Sequence, residues 1–238
     1  MREARLALLA GAPFLRGLSP EELRAVAGLA TERTLRARQV LFREGDEADA
    51  LFLVLGGRMK LTQSDSDGRE VIVRIVGPGG LLAAVSAFAN TTFPATAQAV
   101  ESTTVLSWPR EALSELFRRV PVLALNAMET LSERMREMQE RFRELATERV
   151  TRRIARALLR LVREAGRRVE DGVLIDVALS RRDLAELTGT TLFTVSRVLS
   201  EWEAEGIVKS SRQRVVVRSP HALVAIAEDL PPIGSTRR

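Results

Sequence analysis

Arg197 is the residue whose side chain offers the most specific chemistry in this sequence. Its guanidinium group can donate two parallel hydrogen bonds to O6 and N7 of a guanine, and the hydroxyl group of Ser196 can bond a base edge or a phosphate. Leu192 and Phe193, about one helical turn earlier, are apolar and could meet thymine methyl groups. A helix that presents these side chains on one exposed face could therefore read base pairs in duplex DNA.

A helix-turn-helix is the element that the surrounding residues predict. Ser180 and Asp183 are spaced as in a capping box, which starts a first helix. Gly189 can adopt the left-handed backbone of a tight turn, and Thr190 or Thr191 can cap a second helix. Four residues then face inward on the second helix: Val195, Val198, Leu199 and Trp202. Five face outward: Leu192, Phe193, Ser196, Arg197 and Ser200. In such a unit the N-terminal part of the second helix enters the major groove.

A β-hairpin is predicted after Gly206. Its strands are Ile207 to Lys209 and Arg214 to Val217, joined by a turn from Ser210 to Gln213. The basic residues at its tip, Arg212 and Arg214, could touch phosphates as the wing of a winged helix. The same residues would also suit a plain solvated hairpin.

The distribution of charge supports a nucleic-acid-binding C-terminal part. Residues 150–238 contain 16 Lys and Arg against 11 Asp and Glu, whereas residues 1–149 contain 20 of each. The whole net charge of +5 therefore lies in the last third of the chain. Clustered cations neutralise phosphates, so this distribution of charge favours a C-terminal DNA-binding module. The neutral N-terminal module would then have a different function.

The N-terminal part is predicted to be rich in β-structure. Short apolar runs alternate with glycine turns, which favours a β-sandwich or roll over βαβ units. The predicted strands are Val40 to Phe42, Leu51 to Leu55, Met59 to Leu61, Val71 to Val76 and Ala97 to Ser107. A helix should begin before them at Ser19, because Pro20 and two acidic residues follow this cap.

A helical pattern runs from Pro121 to Arg149. Its apolar residues are spaced 3, 4, 3, 4 and 3 apart, as in the seam of a coiled coil: Met128, Leu131, Met135, Met138, Phe142 and Leu145. Charged residues fill the other faces, so this stripe is the predicted interface of a homodimer. The alternative is that the stripe packs on the β-rich part of its own chain.

The composition excludes several classes of protein. With 45% hydrophobic and 28% charged residues and no long apolar run, the chain is expected to be a folded protein without membrane spans. Residues Met1 to Pro13 lack the apolar core of a signal peptide. The absence of cysteine excludes disulfides and iron–sulfur clusters, and a cytoplasmic location is the default expectation.

From about Phe14 to Ile226 the chain resembles the Crp/Fnr family, named for the cyclic-AMP receptor protein and the fumarate–nitrate reduction regulator. The resemblance rests on LFREGDEADALFLVLGGRMKL, GREVIVRIVGPGGLL, ERVTRRIARALLRL and LTGTTLFTVSRVLSEWEAEGIV. It implies an α+β protein: an N-terminal effector-sensing β-roll (a double-stranded β-helix or jelly roll), a long dimerisation helix and a C-terminal winged helix-turn-helix. It also implies contacts with promoter DNA and RNA polymerase. The domains are expected at residues 1–120, 121–149 and 150–238.

The resemblance assigns roles to residues of the helix-turn-helix. Arg197 falls where the family has the arginine that contacts a guanine, and Ser196 completes the serine–arginine pair of the fumarate–nitrate branch. The acidic residue that usually precedes this pair by three is replaced by Phe193, so the usual half-site is not expected. Three residues fall on phosphate-contacting positions: Arg181, Thr191 and Thr194.

The effector-sensing β-roll lacks the residues with which the family binds cyclic nucleotides. Cyclic-nucleotide binders hold ribose and phosphate with a Gly-Glu pair and an Arg-Ser pair. These pairs align with Ala83-Ala84 and Phe93-Pro94, so cyclic AMP and cyclic GMP are not expected to bind. The family's pocket would be mainly apolar, and would comprise Leu81, Leu82, Ala83, Ala84, Phe93, Pro94, Ala95, Thr96, Met138 and Gln139.

No metal or cofactor is predicted. The only histidine, His221, lies beyond the wing and suits a surface position. A haem would have to use Met, a backbone amine or another unusual ligand, because residues 1–149 contain neither His nor Cys.

The predicted function is that of a homodimeric, sequence-specific transcription regulator that binds an inverted-repeat promoter site under control of a small effector. The alternatives are a regulator active without an effector and a haem- or gas-sensing regulator. An enzyme built on a cupin-like β-roll is disfavoured because its histidine cluster is missing. A nucleotide-binding module acting on a partner enzyme is disfavoured by the helix-turn-helix.

Overall fold

The computed structural model describes residues 9–64, 70–89, 91–177, 179–211 and 214–230. The chain divides into two compact units, the first ending at Met138 and the second beginning at Gln139. Each unit has its own sheet structure and is described by itself. None of the helices within the described residues combines the length and the apolar character that a membrane span requires.

The first unit begins with a 3₁₀ helix, Pro13–Leu15, and helix α1, Pro20–Gly28. The predicted start of α1 is confirmed. The Ser19 hydroxyl group accepts a hydrogen bond from the Glu22 amide at 3.2 Å, and the Glu22 carboxylate accepts one from the Ser19 amide at 2.8 Å. This capping box satisfies two amides at the helix start.

Eight strands and a short helix follow. They are β1 (Thr31–Leu35), β2 (Val40–Phe42), β3 (Ala50–Gly56), β4 (Met59–Ser64), β5 (Glu70–Val76), β6 (Leu81–Leu82), α2 (Ala84–Ala89), β7 (Thr96–Ala99) and β8 (Thr103–Pro109). The strands form two antiparallel sheets in the orders β1-β8-β3-β6 and β2-β7-β4-β5. The predicted β-roll and the α+β class are confirmed.

The prediction of one strand from Ala97 to Ser107 is wrong. The run contains two strands, because the chain leaves the second sheet after β7 and enters the first at β8. Thr103 supports this crossing, since its hydroxyl group accepts a hydrogen bond from the Arg58 amide at 3.1 Å.

Two apolar clusters fill the first unit. One surrounds the fully buried Trp108, whose indole N–H donates to the Val26 carbonyl at 2.8 Å and so holds α1 against β8. The other contains the stacked rings of Phe42 and Phe93, whose centroids lie 3.9 Å apart, with Phe52 beside them.

Helices α3 (Arg110–Arg119) and α4 (Val122–Thr147) follow the β-roll. The start of α4 is anchored in the first cluster by Leu123 and Ala127. The buried amide of Asn126 donates to the carbonyls of Phe14 and Arg16 at 2.9 and 2.8 Å, which joins α4 to the 3₁₀ segment.

The second unit contains the end of α4 and a winged helix. Its further elements are α5 (Val150–Ala165), β9 (Gly166–Val169), β10 (Gly172–Ile175), α6 (Arg181–Thr188), α7 (Leu192–Ala204), β11 (Val208–Ser211), β12 (Arg214–Val217) and α8 (Pro220–Glu228). The strands form an antiparallel sheet in the order β11-β12-β10-β9. The predicted hairpin is confirmed, although Ser210 and Ser211 belong to β11 and not to the turn.

Candidate DNA-binding site and effector region

The turn between α6 and α7 has the predicted geometry. The Ser180 hydroxyl group accepts from the Asp183 amide at 3.0 Å, and the Asp183 carboxylate accepts from the Ser180 amide at 2.9 Å. Gly189 has φ +59° and ψ 45°, in the left-handed region. Thr191 caps α7 by accepting from the Thr194 amide at 3.2 Å. These contacts fix where α7 begins and therefore which of its faces is exposed.

One face of α7 is buried as predicted, since Val195, Val198 and Leu199 are completely covered and Trp202 nearly so. On the opposite face Phe193 is 78% exposed, the highest value for a large apolar side chain among the described residues. Leu192 is exposed as well. Two adjacent exposed apolar residues at the start of a helix are unusual on a protein surface and favour a contact partner.

Arg197 lies on the same exposed face, four residues after Phe193. Its Nη1 donates to the Glu201 carboxylate at 2.9 Å, a contact between residues one turn apart on the helix. This contact uses one of the three guanidinium nitrogens, so a pair of parallel donors can still face a guanine.

Within the described residues, the other predicted DNA contacts belong to α6, to the start and first turns of α7 and to β12. Arg181 donates from Nη2 to the Ser210 hydroxyl group at 3.1 Å, which connects α6 to the wing. The hydroxyl groups of Thr191 and Thr194 lie 2.9 Å apart. Ser196 is half-buried, Ser200 and Arg214 are exposed, and Arg212 lies outside the described residues.

Glu203 in α7 makes a contact with the wing that the sequence did not predict. Its carboxylate accepts a hydrogen bond from the Ser210 amide. Hydrogen bonding with the side chain of Ser210, together with the amide bond and the charge of Arg181, lowers the pKa of Glu203 below its ordinary value. The bond fixes the wing on the recognition helix. No local pattern signals it, because the two residues meet only when the hairpin folds back.

The residues predicted for the effector region lie mostly in packed positions. Leu81 and Leu82 pair with β3 and are buried, and Ala84 begins α2. Ala83 has φ +62°, a backbone that glycine adopts more easily and that fits the family's glycine at this position. Phe93, where the family's arginine would grip phosphate, is 3% exposed and stacked on Phe42.

The remaining predicted effector residues differ in burial and in their contacts. Pro94 is exposed and its carbonyl accepts from Gln63 Nε2 at 2.8 Å, while Ala95 is buried. Thr96 in β7 accepts a hydrogen bond from the Glu44 amide at 3.0 Å. Met138 and Gln139 are exposed.

Arg134 is a cation of the effector region that sequence reasoning missed. Its Nη2 donates to the carbonyl of Leu81, and its Nε has no hydrogen-bond partner among the described residues. Burial, together with the charge of Arg74, lowers the pKa of Arg134 to about 10, so the group still carries its charge at neutral pH. The region is therefore less apolar than its sequence alone indicated.

A separate cavity of about 240 Å³ lies elsewhere in the first unit. Its lining residues are Gly11, Ala12, Leu53, Val54, Leu55, Pro78 and Gly79. None of them is a predicted effector residue.

The predicted dimer stripe on α4 is largely exposed within one chain. Five of its six residues are exposed, namely Met128, Met135, Met138, Phe142 and Leu145, with Phe142 at 74%. Leu131 is the exception, since it packs against the Trp108 cluster of its own unit. Leu125, which lies outside the predicted stripe, is exposed as well.

The chain matches known proteins along most of its length. Residues 32–120 match the cyclic nucleotide-binding domain family and residues 152–226 the Crp-like helix-turn-helix domain family. The cyclic AMP receptor protein of Thermus thermophilus is 34% identical over 91% of this chain and 97% of that protein. The transcriptional activator protein Anr of Pseudomonas aeruginosa is 29% identical over 82% of this chain and 80% of that protein.

A solved structure of a known protein is similar to this chain as well. FixK2 from Bradyrhizobium japonicum superimposes with a TM-score of 0.71 at 26% identity, over 83% of this chain and 96% of the other. The fold and the helix-turn-helix are those of DNA-binding regulators of transcription. The chain belongs to the Crp/Fnr family of transcription regulators.

Proposed function

We propose that the chain acts as a homodimer on an inverted-repeat promoter site, with one recognition helix in each half-site. The observation that carries this proposal is the position of Arg197 on the exposed face of α7, opposite a completely buried face. The guanidinium group reads a guanine in each half-site, and Phe193 and Leu192 meet neighbouring thymine methyl groups. Arg181, Thr191, Thr194 and Arg214 position the protein through phosphates, and RNA polymerase is the further partner.

The homodimer is supported by the exposed stripe on α4. Large apolar side chains at heptad spacing cost free energy in water, and a second copy of the same helix would cover them. Two-fold symmetry of the protein then requires two-fold symmetry of the operator, with half-site centres about 34 Å apart.

The effector is proposed not to be a cyclic nucleotide, although one 34% identical relative is named a cyclic AMP receptor protein. Ala84 and Phe93 replace the glutamate and arginine that would grip ribose and phosphate, and the ring of Phe93 already packs on Phe42. Each missing charge-assisted bond removes about 1.5–3 kcal/mol. A regulator that binds DNA without an effector is the alternative.

Selection of bound sequences from a random duplex pool tests the proposal. The enriched sequences should contain an inverted repeat with a guanine at equivalent positions of both halves. The selection is repeated with cyclic AMP, which should change neither the sequences nor the affinity. Enrichment without a two-fold repeat would contradict the proposed dimeric mode, and tighter binding with cyclic AMP would contradict the proposed effector class.

A further inference from the structure

The last turns of α4 pack against the helix-turn-helix within the second unit. A Cβ atom on Gly189 would lie only 2.9 Å from Cδ2 of Leu145, so the Leu145 side chain lies against the turn between α6 and α7. Arg153 donates from Nε to the Thr188 carbonyl at 3.1 Å and from Nη1 to the Glu148 carbonyl at 3.0 Å. One side chain of α5 thus connects the residue that follows α4 with the last residue of α6.

Two buried carboxylates strengthen this connection. Both oxygens of Glu144 accept from Nη1 of Arg160, at 2.8 and 3.0 Å, and the Glu144 side chain is 7% exposed. Glu148 lies 3.2 Å from Nε of Arg156 and its side chain is 9% exposed. The Glu144 pair joins the last turns of α4 to α5, and the Glu148 pair joins the residue that follows α4 to the preceding turn of α5.

Arg156 and the nearby Arg152 also contact the last helix, α8. Arg156 Nη2 lies 3.4 Å from the Glu228 carboxylate at the end of α8, and Arg152 donates from Nε to the Ala227 carbonyl at 3.2 Å. The end of α4, α5 and α8 are therefore joined by charged contacts. Only two residues separate α4 from α5, so the connection itself adds little freedom.

Buried ion pairs contribute more to a defined geometry than to stability. Desolvation offsets most of their attraction, whereas removal of one partner leaves an uncompensated buried charge. The Glu144–Arg160 pair, with its two hydrogen bonds, also fixes the angle between the two helices that carry it. Glu144 and Glu148 are thus placed to fix α5 on the end of α4, and Arg153 connects α5 in turn to the end of α6, just before α7.

We propose that Glu144 and Glu148 are positioning residues that hold the end of the dimer helix on the DNA-binding domain, and so determine which half-site spacing the dimer accepts. This inference rests on the proposed homodimer and inverted repeat. If the end of α4 keeps a fixed angle to α7, the two recognition helices of a dimer have one allowed separation. Loss of the ion pairs should let each DNA-binding domain turn and accept other separations.

The test uses full-length protein and the selected operator, with the spacer between half-sites shortened or lengthened by one base pair. For the wild type we expect about a tenfold loss of affinity for each altered spacer, measured by fluorescence anisotropy. For the double variant E144Q/E148Q we expect a loss of less than about threefold. The matched control is E133Q/E140Q, which removes two exposed carboxylates from the same helix and should keep the wild-type preference.

The charge exchange E144R/R160E provides the second variant. It restores the pair with reversed polarity and should regain the wild-type spacing preference, while E144R alone should lose it. The inference is overturned if E144Q/E148Q keeps the full wild-type spacing preference. If E144Q/E148Q fails to fold, the inference is overturned by an E144R variant that keeps this preference. A wild type that selects no inverted repeat at all would instead contradict the proposed function.

Discussion

At the scale of single residues, Phe193 distinguishes this chain from the family pattern, which has an acidic residue at this position. An acidic side chain accepts a hydrogen bond from cytosine N4, whereas the exposed ring of Phe193 suits the methyl group of thymine. We therefore expect that replacing the contacted thymine by uracil, which lacks only this methyl group, weakens wild-type binding about fourfold per half-site. Anisotropy titration of matched duplexes measures this effect.

The control is the variant F193A, for which the same uracil substitution should change nothing. Equal losses for F193A and the wild type would show that another residue contacts the methyl group. Binding of Arg197 to guanine does not depend on this outcome.

Sequence alone predicted those residues whose roles depend on near neighbours in the chain. Ser180 with Asp183, the left-handed Gly189 and the buried Val195 all follow from spacings of a few residues. Glu203 with Ser210, Phe93 with Phe42 and Arg134 with Leu81 do not, because each pair is formed by folding across a longer stretch of chain.

At the scale of elements, Asn126 joins α4 to the N-terminal 3₁₀ segment through two hydrogen bonds to backbone carbonyls. The variant N126A would leave both carbonyls without their donor and remove packed atoms, so we expect the free energy of unfolding to fall by about 2–4 kcal/mol. Urea denaturation followed by circular dichroism measures the change. T130V, one turn later on the same helix, should change the free energy by less than about 1 kcal/mol. A decrease no larger in N126A than in T130V would show that the amide does not hold this segment.

Helices with a regular spacing of apolar residues could be predicted from the sequence. Strands whose bounds depend on the strands they pair with could not. The helices α4 and α7 follow from their apolar spacing, which continues over several turns. Strands β1 and β6 were missed because β1 is polar and mostly exposed, and β6 has only two residues. The division of the Ala97 to Ser107 run depends on which sheet each half joins, and that information lies outside the run.

At the scale of the whole molecule, the exposed stripe on α4 makes dimerisation the main expectation. The variant M135E/M138E would place acidic side chains facing their symmetry copies in an apolar interface, and should be a monomer at micromolar concentration by analytical ultracentrifugation. The matched variant M135L/M138L keeps the stripe apolar and should remain a dimer. If M135E/M138E sediments as the wild type does, the interface lies elsewhere.

The account depends most on Arg197 as the residue that reads the operator, and one comparison tests this directly. Affinities of the wild type, R197A and R214A are measured for the selected operator and all single-base substitutions, at several salt concentrations. R197A should lose about 1–3 kcal/mol of discrimination at one guanine per half-site, with the other preferences unchanged. R214A should weaken all duplexes alike and lower the salt slope by about one for each phosphate that is no longer neutralised. Uniform weakening by R197A, with every base preference intact, would contradict the account, because Arg197 would then bind phosphate and not a base.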